Sequence, residues 1–351
     1  MSPRTIWLLA LLAVSAYPAA ANTYYVGNCK SGSFPTISAA VTSPSVAPGS
    51  TIMICAGSYT EQPIISKDLT LKGLDGSTGA GVEVIPPNTM QTTTSRINVL
   101  NADFGLIAPV IWVTSGTVNI QNVAVDVAPS ATCPARNVGF YYATGASGTL
   151  NHVGFFGKEC GVGIWAENAS FTQTAVTVEN SYLDGGIIAG SLDIPDGTLT
   201  VTIKGNQVFP TSPDGSFGIY MHGVSGTVEG NVVSGPRWTG QGSFVTGLSV
   251  AAIEDDGVSQ TDVTISGNTI LISGNTFEYS FVSIGVLIKV AGATVKSNKI
   301  SGPEYGIELS CLATASGNTI SNTGYGISDV PAGSTGVNTF YSVDLKIGGG
   351  C

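Results

Sequence analysis

The chain has 351 residues and a formal net charge of −10, and only 10% of its residues are charged, against about 25% in ordinary globular domains. With 13 basic and 23 acidic residues and no basic stripe, it does not carry the electrostatic footprint of a nucleic-acid-binding protein. A polyanionic partner would be repelled overall unless Ca²⁺ bridges it or a local basic patch receives it. The low charge fits a β-rich extracellular protein whose surface is Ser, Thr, Asn and Gly.

Residues 1–21 read as a secretory signal peptide. Arg4 is the lone charge, Ile6 to Val14 is an apolar run, and Ala19-Ala20-Ala21 offers a small-residue cleavage site. The apolar run is too short to cross hydrocarbon; an uncleaved N-terminal anchor is the alternative. No later run is apolar enough for a membrane span. Residues 22–351 then form one domain, expected to be secreted, periplasmic or surface-located, and monomeric.

Phe34-Pro-Thr-Ile-Ser-Ala-Ala-Val41 starts with Pro near its head and spaces its apolar residues helically, which predicts a short capping helix. Strands are predicted at Pro48–Ile54, Ala56–Glu61 and Leu69–Gly73. From there the chain repeats one phrase, apolar-x-apolar-x-x-Asn-x-apolar. Copies are Val118-Asn-Ile-Gln-Asn122, Val176-Thr-Val-Glu-Asn180, Val201-Thr-Ile-Lys-Gly-Asn206, Val228-Glu-Gly-Asn231, Val263-Thr-Ile-Ser-Gly-Asn268, Val295-Lys-Ser-Asn298, Ala315-Ser-Gly-Asn318 and Gly336-Val-Asn338, with Val153 in the slot of one further copy. Asn275 competes with Asn268 for a single slot. Repeats too small to bury their own apolar face must stack on one another. Alternation marks strands and Asn marks a tight bend, where the backbone turns left-handed. Stacked Asn residues can then form an amide ladder.

Six cysteines behind a signal peptide read as disulfides in an oxidising compartment. Counting alone leaves fifteen connectivities. Stacking favours neighbours in sequence: Cys29–Cys55, Cys133–Cys160 and Cys311–Cys351.

The opening from Thr36 through Gly73, the phrases Ile265-Ser-Gly-Asn268-Thr-Ile270 and Gly317-Asn318-Thr-Ile-Ser321, and Tyr325-Gly-Ile327 together resemble right-handed parallel β-helix proteins of the pectin-lyase-like superfamily. The resemblance covers nearly the whole domain and implies an all-β, single-stranded solenoid with a short N-terminal capping helix. It does not specify an activity, since the superfamily includes lyases, hydrolases, esterases, epimerases, adhesins and binding proteins. A polygalacturonase-like site would show Asn-Thr-Asp, Asp-Asp and Gly-His-Gly; only Asp255-Asp256 matches in form. A pectin-methylesterase-like site would show Gly-Arg-Pro-Trp, where this chain has Ser234-Gly-Pro-Arg237-Trp238. Pectate-lyase-like elimination needs a placed base, usually with Ca²⁺, and Arg96, Arg136 and Arg237 sit in no matching motif.

Gly-apolar pairs recur at Gly139-Phe140, Gly163-Ile164, Gly186-Ile187, Gly218-Ile219, Gly247-Leu248, Gly285-Val286, Gly306-Ile307 and Gly326-Ile327. If the apolar member points inward, the next residue points out. The outward column then reads Tyr141, Trp165, Ile188, Tyr220, Ser249, Leu287, Glu308, Ser328, with Glu167, His222, Lys289 and Ser310 two residues on. Tyr141, Trp165 and Tyr220 are therefore the candidate substrate-binding row, since aromatic faces suit the apolar faces of sugars. Glu167 and His222 are the candidate acid and base. The competing reading packs these aromatics beneath the long loops. Glu254, Asp255 and Asp256 form an acidic segment read as a loop tip that could take Ca²⁺ through carboxylate oxygens. His152 reads as a bend residue. The expectation is a non-catalytic extracellular protein binding polysaccharide. The alternative is a lyase or glycoside hydrolase acting on a pectin-like or alginate-like polymer.

Overall fold

A computed structural model describes residues 22–75, 81–95, 106–127, 136–157, 161–191, 198–209, 217–234, 250–256, 262–272, 283–310, 312–329 and 335–348. Regular structure is nearly all parallel strand, coiled into a stack. One face is an 11-stranded sheet running from Thr23–Val26 to Thr314–Ser316; the other two faces join as a 21-stranded sheet. Within a face, each strand pairs in register with its counterpart one coil later, as Val176, Thr177 and Val178 do with Val201, Thr202 and Ile203. An antiparallel pair occurs where Thr93–Thr94 folds back on Leu106 and Ile107.

Inward positions alternate with outward ones, so Ile120, Leu150, Val178, Ile203, Val228, Ile265, Val295 and Ala315 make one buried column. Each buried Val, Leu or Ile contributes about 1.5–3 kcal/mol. At the N-terminal end the helix Ile37–Thr42 covers the first coil with Ile37, Ala40 and Val41. Its orphan N–H groups are satisfied twice over. Thr36 Oγ1 accepts from Ala39 N at 3.0 Å, and the Glu61 carboxylate accepts from Ile37 N at 2.8 Å and Ser38 N at 2.7 Å. Cys29–Cys55 is formed, as the spacing suggested. Cys133, Cys160, Cys311 and Cys351 lie outside the described residues.

The bends use two adjacent positions. A left-handed residue comes first: Asn122 (φ 54°), His152 (53°), Asn180 (50°), Gly205 (65°), Gly230 (64°), Gly267 (64°), Ser297 (56°) and Gly317 (66°). The residue after it turns inward. From Asn206 onward that inward residue is Asn, and the side chains form a continuous ladder. Asn206 Nδ2 donates to Asn231 Oδ1, Asn231 to Asn268 and Asn268 to Asn298, each at 2.9 Å. Asn298 donates to Asn318 and Asn318 to Asn338, each at 3.0 Å. Each Oδ1 also accepts the backbone N–H of the preceding Asn, and the Nδ2 groups of Asn206 through Asn318 also donate to backbone carbonyls. Asn122 and Asn180 are therefore not ladder members; they hold the left-handed position, and the ladder positions are Val123 and Ser181. Asn268 takes the contested slot; Asn275 lies outside the described residues.

The Gly-apolar pairs have a separate cause. At Gly285, Gly306 and Gly326, a Cβ would lie 2.5–2.6 Å from the carbonyl oxygen of Gly306, Gly326 and Lys346, one coil on. The coils approach too closely there for any side chain.

Asn268 shares buried hydrogen bonds with the coils on both sides. Replacing it by Ala should leave the N–H and Nδ2 of Asn231 without their acceptor and lower stability by about 2–4 kcal/mol. Urea unfolding of Asn268→Ala against Asn338→Ala, the half-buried last rung, measures this; equal losses would contradict a buried ladder. Glu61→Ala should cost about 1–2 kcal/mol through the capping helix, read in the same way.

Candidate functional site

The strands Leu106–Val113, Arg136–Tyr142, Gly161–Asn168, Gly186–Ser191, Phe217–His222, Val250–Asp256, Ser283–Ile288 and Tyr305–Glu308 stack into the face that carries the sequence-derived candidates. Pairing aligns Trp112, Tyr141, Trp165, Ile188, Tyr220, Glu254, Leu287, Glu308 and Ser328 in one outward column. Tyr141, Trp165 and Tyr220 do point away from the coil interior, since they form an apolar cluster separate from the main core. They are nonetheless buried, 2%, 0% and 1% exposed. Neighbours in this outer cluster include Val138, Val162, Ile188 and Leu287, with Trp112 packed against it. Ser95, remote in sequence, also reaches this face through its contact with Glu167.

Glu167 is buried with them. Its Oε1 accepts from Tyr141 Oη at 2.5 Å, and its Oε2 accepts from Ser95 Oγ at 2.8 Å. Pairing places Glu167 opposite Gly190, and Gly190 opposite His222. Glu167 and His222 are thus two strand spacings apart, about 10 Å. They do not form one acid–base pair.

His222 has different company. Its Nδ1 lies 2.8 Å from Asp256 Oδ1, and Tyr220 Oη donates to Asp256 Oδ2 at 3.4 Å. The Tyr220 and His222 rings stack with centroids 6.4 Å apart and planes at 15°. From the next coil, Lys289 Nζ donates to Glu254 Oε1 at 2.5 Å and lies 3.9 Å from Asp256 Oδ2. His222, Asp256 and Lys289 side chains are 22%, 21% and 39% exposed, so solvent reaches this end of the face.

The acidic segment Glu254-Asp255-Asp256 corrects the sequence reading. It is not a loop tip but the end of the strand Val250–Asp256. Glu254 and Asp256 point outward beside Tyr220 and His222. Asp255 is fully buried in the inward column, aligned with Met221 and Ile288. Three carboxylates split between two sides of a strand do not converge on one cation. Among the described residues no group of three His, Cys, Asp or Glu side chains is arranged to hold a metal ion. The slot assigned to Ser249 belongs to Glu254. Ile253 is the inward residue of this coil, and Ala252, not Gly, precedes it, so the Gly-apolar signal was absent where the register ran. Ser249 itself lies outside the described residues.

Burial pushes the Glu254 carboxyl up to about 7; Asp256 and Glu308 add to the rise and Lys289 opposes it. Burial would also raise Asp256, but the hydrogen bond and charge of His222, with Lys289 and Tyr220, hold it below the ordinary carboxylate range. Glu308 is raised by burial and by Asp329. The Tyr220 phenol is pushed up by burial, then by Asp256 and Glu254. The cluster therefore holds a carboxyl close to half-protonated at neutral pH beside one held ionised, a combination suited to hydrogen-bonding hydroxyls or moving protons.

Because Glu254 is raised to about 7 from an ordinary 4.5, the folded state retains a proton that the unfolded chain has lost between those values. Stability contributed by that proton is lost as pH rises from about 4.5 to 7, by on the order of 3 kcal/mol. Glu254→Gln should flatten this slope. Urea titrations of both proteins at several pH values check it, and identical slopes would refute the assignment.

No protein-family model matches the sequence, and no curated protein does. Among solved structures, the GH136 lacto-N-biosidase from Eubacterium ramulus aligns over 93% of this chain and 68% of its own, at 11% identity and a TM-score of 0.50. Its selenomethionine derivative gives a TM-score of 0.52. PfbA, a surface adhesin of Streptococcus pneumoniae, aligns over 85% of each chain at 14% identity and a TM-score of 0.47. At such identities the likeness is one of fold. The chain has a right-handed parallel β-helix fold.

Proposed function

We propose that this protein is an exported β-helix that binds carbohydrate on its outer face, at the cluster of Tyr220, His222, Glu254, Asp256 and Lys289. The observation that carries the reading is the convergence of imidazole, carboxylates and ammonium from three successive coils at the solvent-reached end of an otherwise apolar face. Such groups can hydrogen-bond several hydroxyls of one sugar at once. The buried row of Tyr141 and Trp165 then serves as the rigid wall against which the polar groups are held. Export rests on the N-terminal signal and agrees with the Cys29–Cys55 disulfide. A shared fold with a lacto-N-biosidase is in keeping with a carbohydrate ligand.

Catalysis at the same place is a second reading, favoured by one observation: Glu254, with its carboxyl near 7, is poised to give or take a proton at neutral pH. The two readings part experimentally. Pectic, alginate and xylan polymers are incubated with the protein and assayed both for retention and for new reducing ends or unsaturated products. Binding without product supports the first reading, and product formation lost in E254Q supports the second. In either case His222→Ala and Lys289→Ala should weaken binding about tenfold, the loss of one charge-assisted hydrogen bond. Retention of unchanged affinity in both variants would remove the site. Trp165→Ala is a poor probe, because that side chain is buried and its loss acts on packing.

A further inference from the structure

The ammonium and the imidazole of the cluster are both already engaged. Lys289 lies against Glu254 and Asp256, and His222 against Asp256. Glu308 and Asp329 add acidic charge on the next coils, close enough to Lys289 and to one another to alter the Glu308 carboxyl. A uronate or sulfate entering here would meet an ammonium whose charge is balanced by nearer carboxylates and an imidazole already bonded to Asp256. It would have to displace one of them.

A second, independent feature points to what does enter. The Glu254 side chain is 1% exposed. One oxygen holds Lys289, while Oε2 has no hydrogen-bond partner among the described residues. A buried polar atom in that condition is costly unless a ligand completes it. Around it stand Tyr220 and His222 from the preceding coil, Asp256 from its own strand, Lys289 from the next coil and Glu308 from the coil after that.

We propose that the site takes an uncharged glycan and excludes uronates, with Glu254 Oε2 accepting a hydrogen bond from a sugar hydroxyl. This rests on the carbohydrate-binding reading above and adds the charge class of the ligand. Selection arises from the internal pairing of Lys289 and His222, which leaves no uncompensated cation facing the ligand.

The test uses polymer pairs that differ only in charge: polygalacturonate and its carboxyl-reduced counterpart, and alginate and its carboxyl-reduced counterpart. Affinity for the full-length protein is measured at low and high salt. At low salt the reduced polymer of at least one pair should bind about tenfold or more tighter than its charged form, and the gap should narrow as salt screens the repulsion. E254Q should keep the neutral polymer, because an amide still hydrogen-bonds, and should gain affinity for the charged one, because Lys289 is released. E308Q should also raise affinity for the charged polymer, and does so without touching the Lys289–Glu254 contact. Glu254→Leu should lose the neutral polymer. Tighter binding of the charged form, sensitive to His222→Ala, would overturn this inference and leave the carbohydrate reading standing. Failure of all four polymers to bind, with H222A indistinguishable from wild type, would overturn both.

Discussion

Everything in this molecule depends on one constraint: successive coils must stay in register while turning sharp corners. A parallel strand pair supplies evenly spaced hydrogen bonds but no fixed end, so register has to be set at the bends. Here a left-handed residue at each bend is followed by an inward side chain, and from Asn206 onward that side chain is an amide tied to the next coil. A slip of one residue would drive the inward apolar column to solvent and break the amide ties together. Local bend chemistry and global packing thus demand the same alignment.

That rigidity accounts for the outer face. Because pairing continues in register across it, residues far apart in sequence arrive as columns. Tyr220, Glu254 and Leu287 are aligned neighbours despite 34 and 33 intervening steps of chain. The first half of the column is aromatic and apolar and becomes a second buried cluster outside the coil. Further along, charged residues occupy the same positions. A polar cluster held by strands is stiffer than one held on loops, and its side chains need little further ordering to meet a ligand.

Much of the fold was legible in the sequence because each device has its own residue type. The Asn of the bends and the Gly of the Gly-apolar pairs stand out as single positions, and the capping helix as a Pro followed by helically spaced apolar residues. The two-residue structure of the bend was harder. Asn suits both the left-handed position and the ladder, so Asn122 and Asn180 look like Asn206 although they do the other job. The candidate row was legible in direction but not in exposure. Alternation places Tyr141 and Trp165 outward, whereas what lies over them is set by segments remote in sequence, such as Ser95 over Glu167. His222 stood out as a candidate, but its partner Asp256 was hidden. Ala252 replaces the usual Gly marker, and three consecutive acids imitate a solvated turn. Nothing in the local residues distinguishes Asp255, which faces the interior, from its two neighbours, which do not.

The amide ladder also has a sense. From Asn206 to Asn318 each Nδ2 gives one N–H to the Asn Oδ1 of the following coil and another to a backbone carbonyl of the preceding one, so the side-chain-to-side-chain bonds all run the same way. Dipoles aligned head to tail polarise one another, so an interior member is held more strongly than one at a terminus. The spine of this solenoid is accordingly vectorial, like a row of arrows. A segment could be lifted out and replaced by another of the same orientation, but one turned end for end would set oxygen against oxygen at one junction and donor against donor at the other.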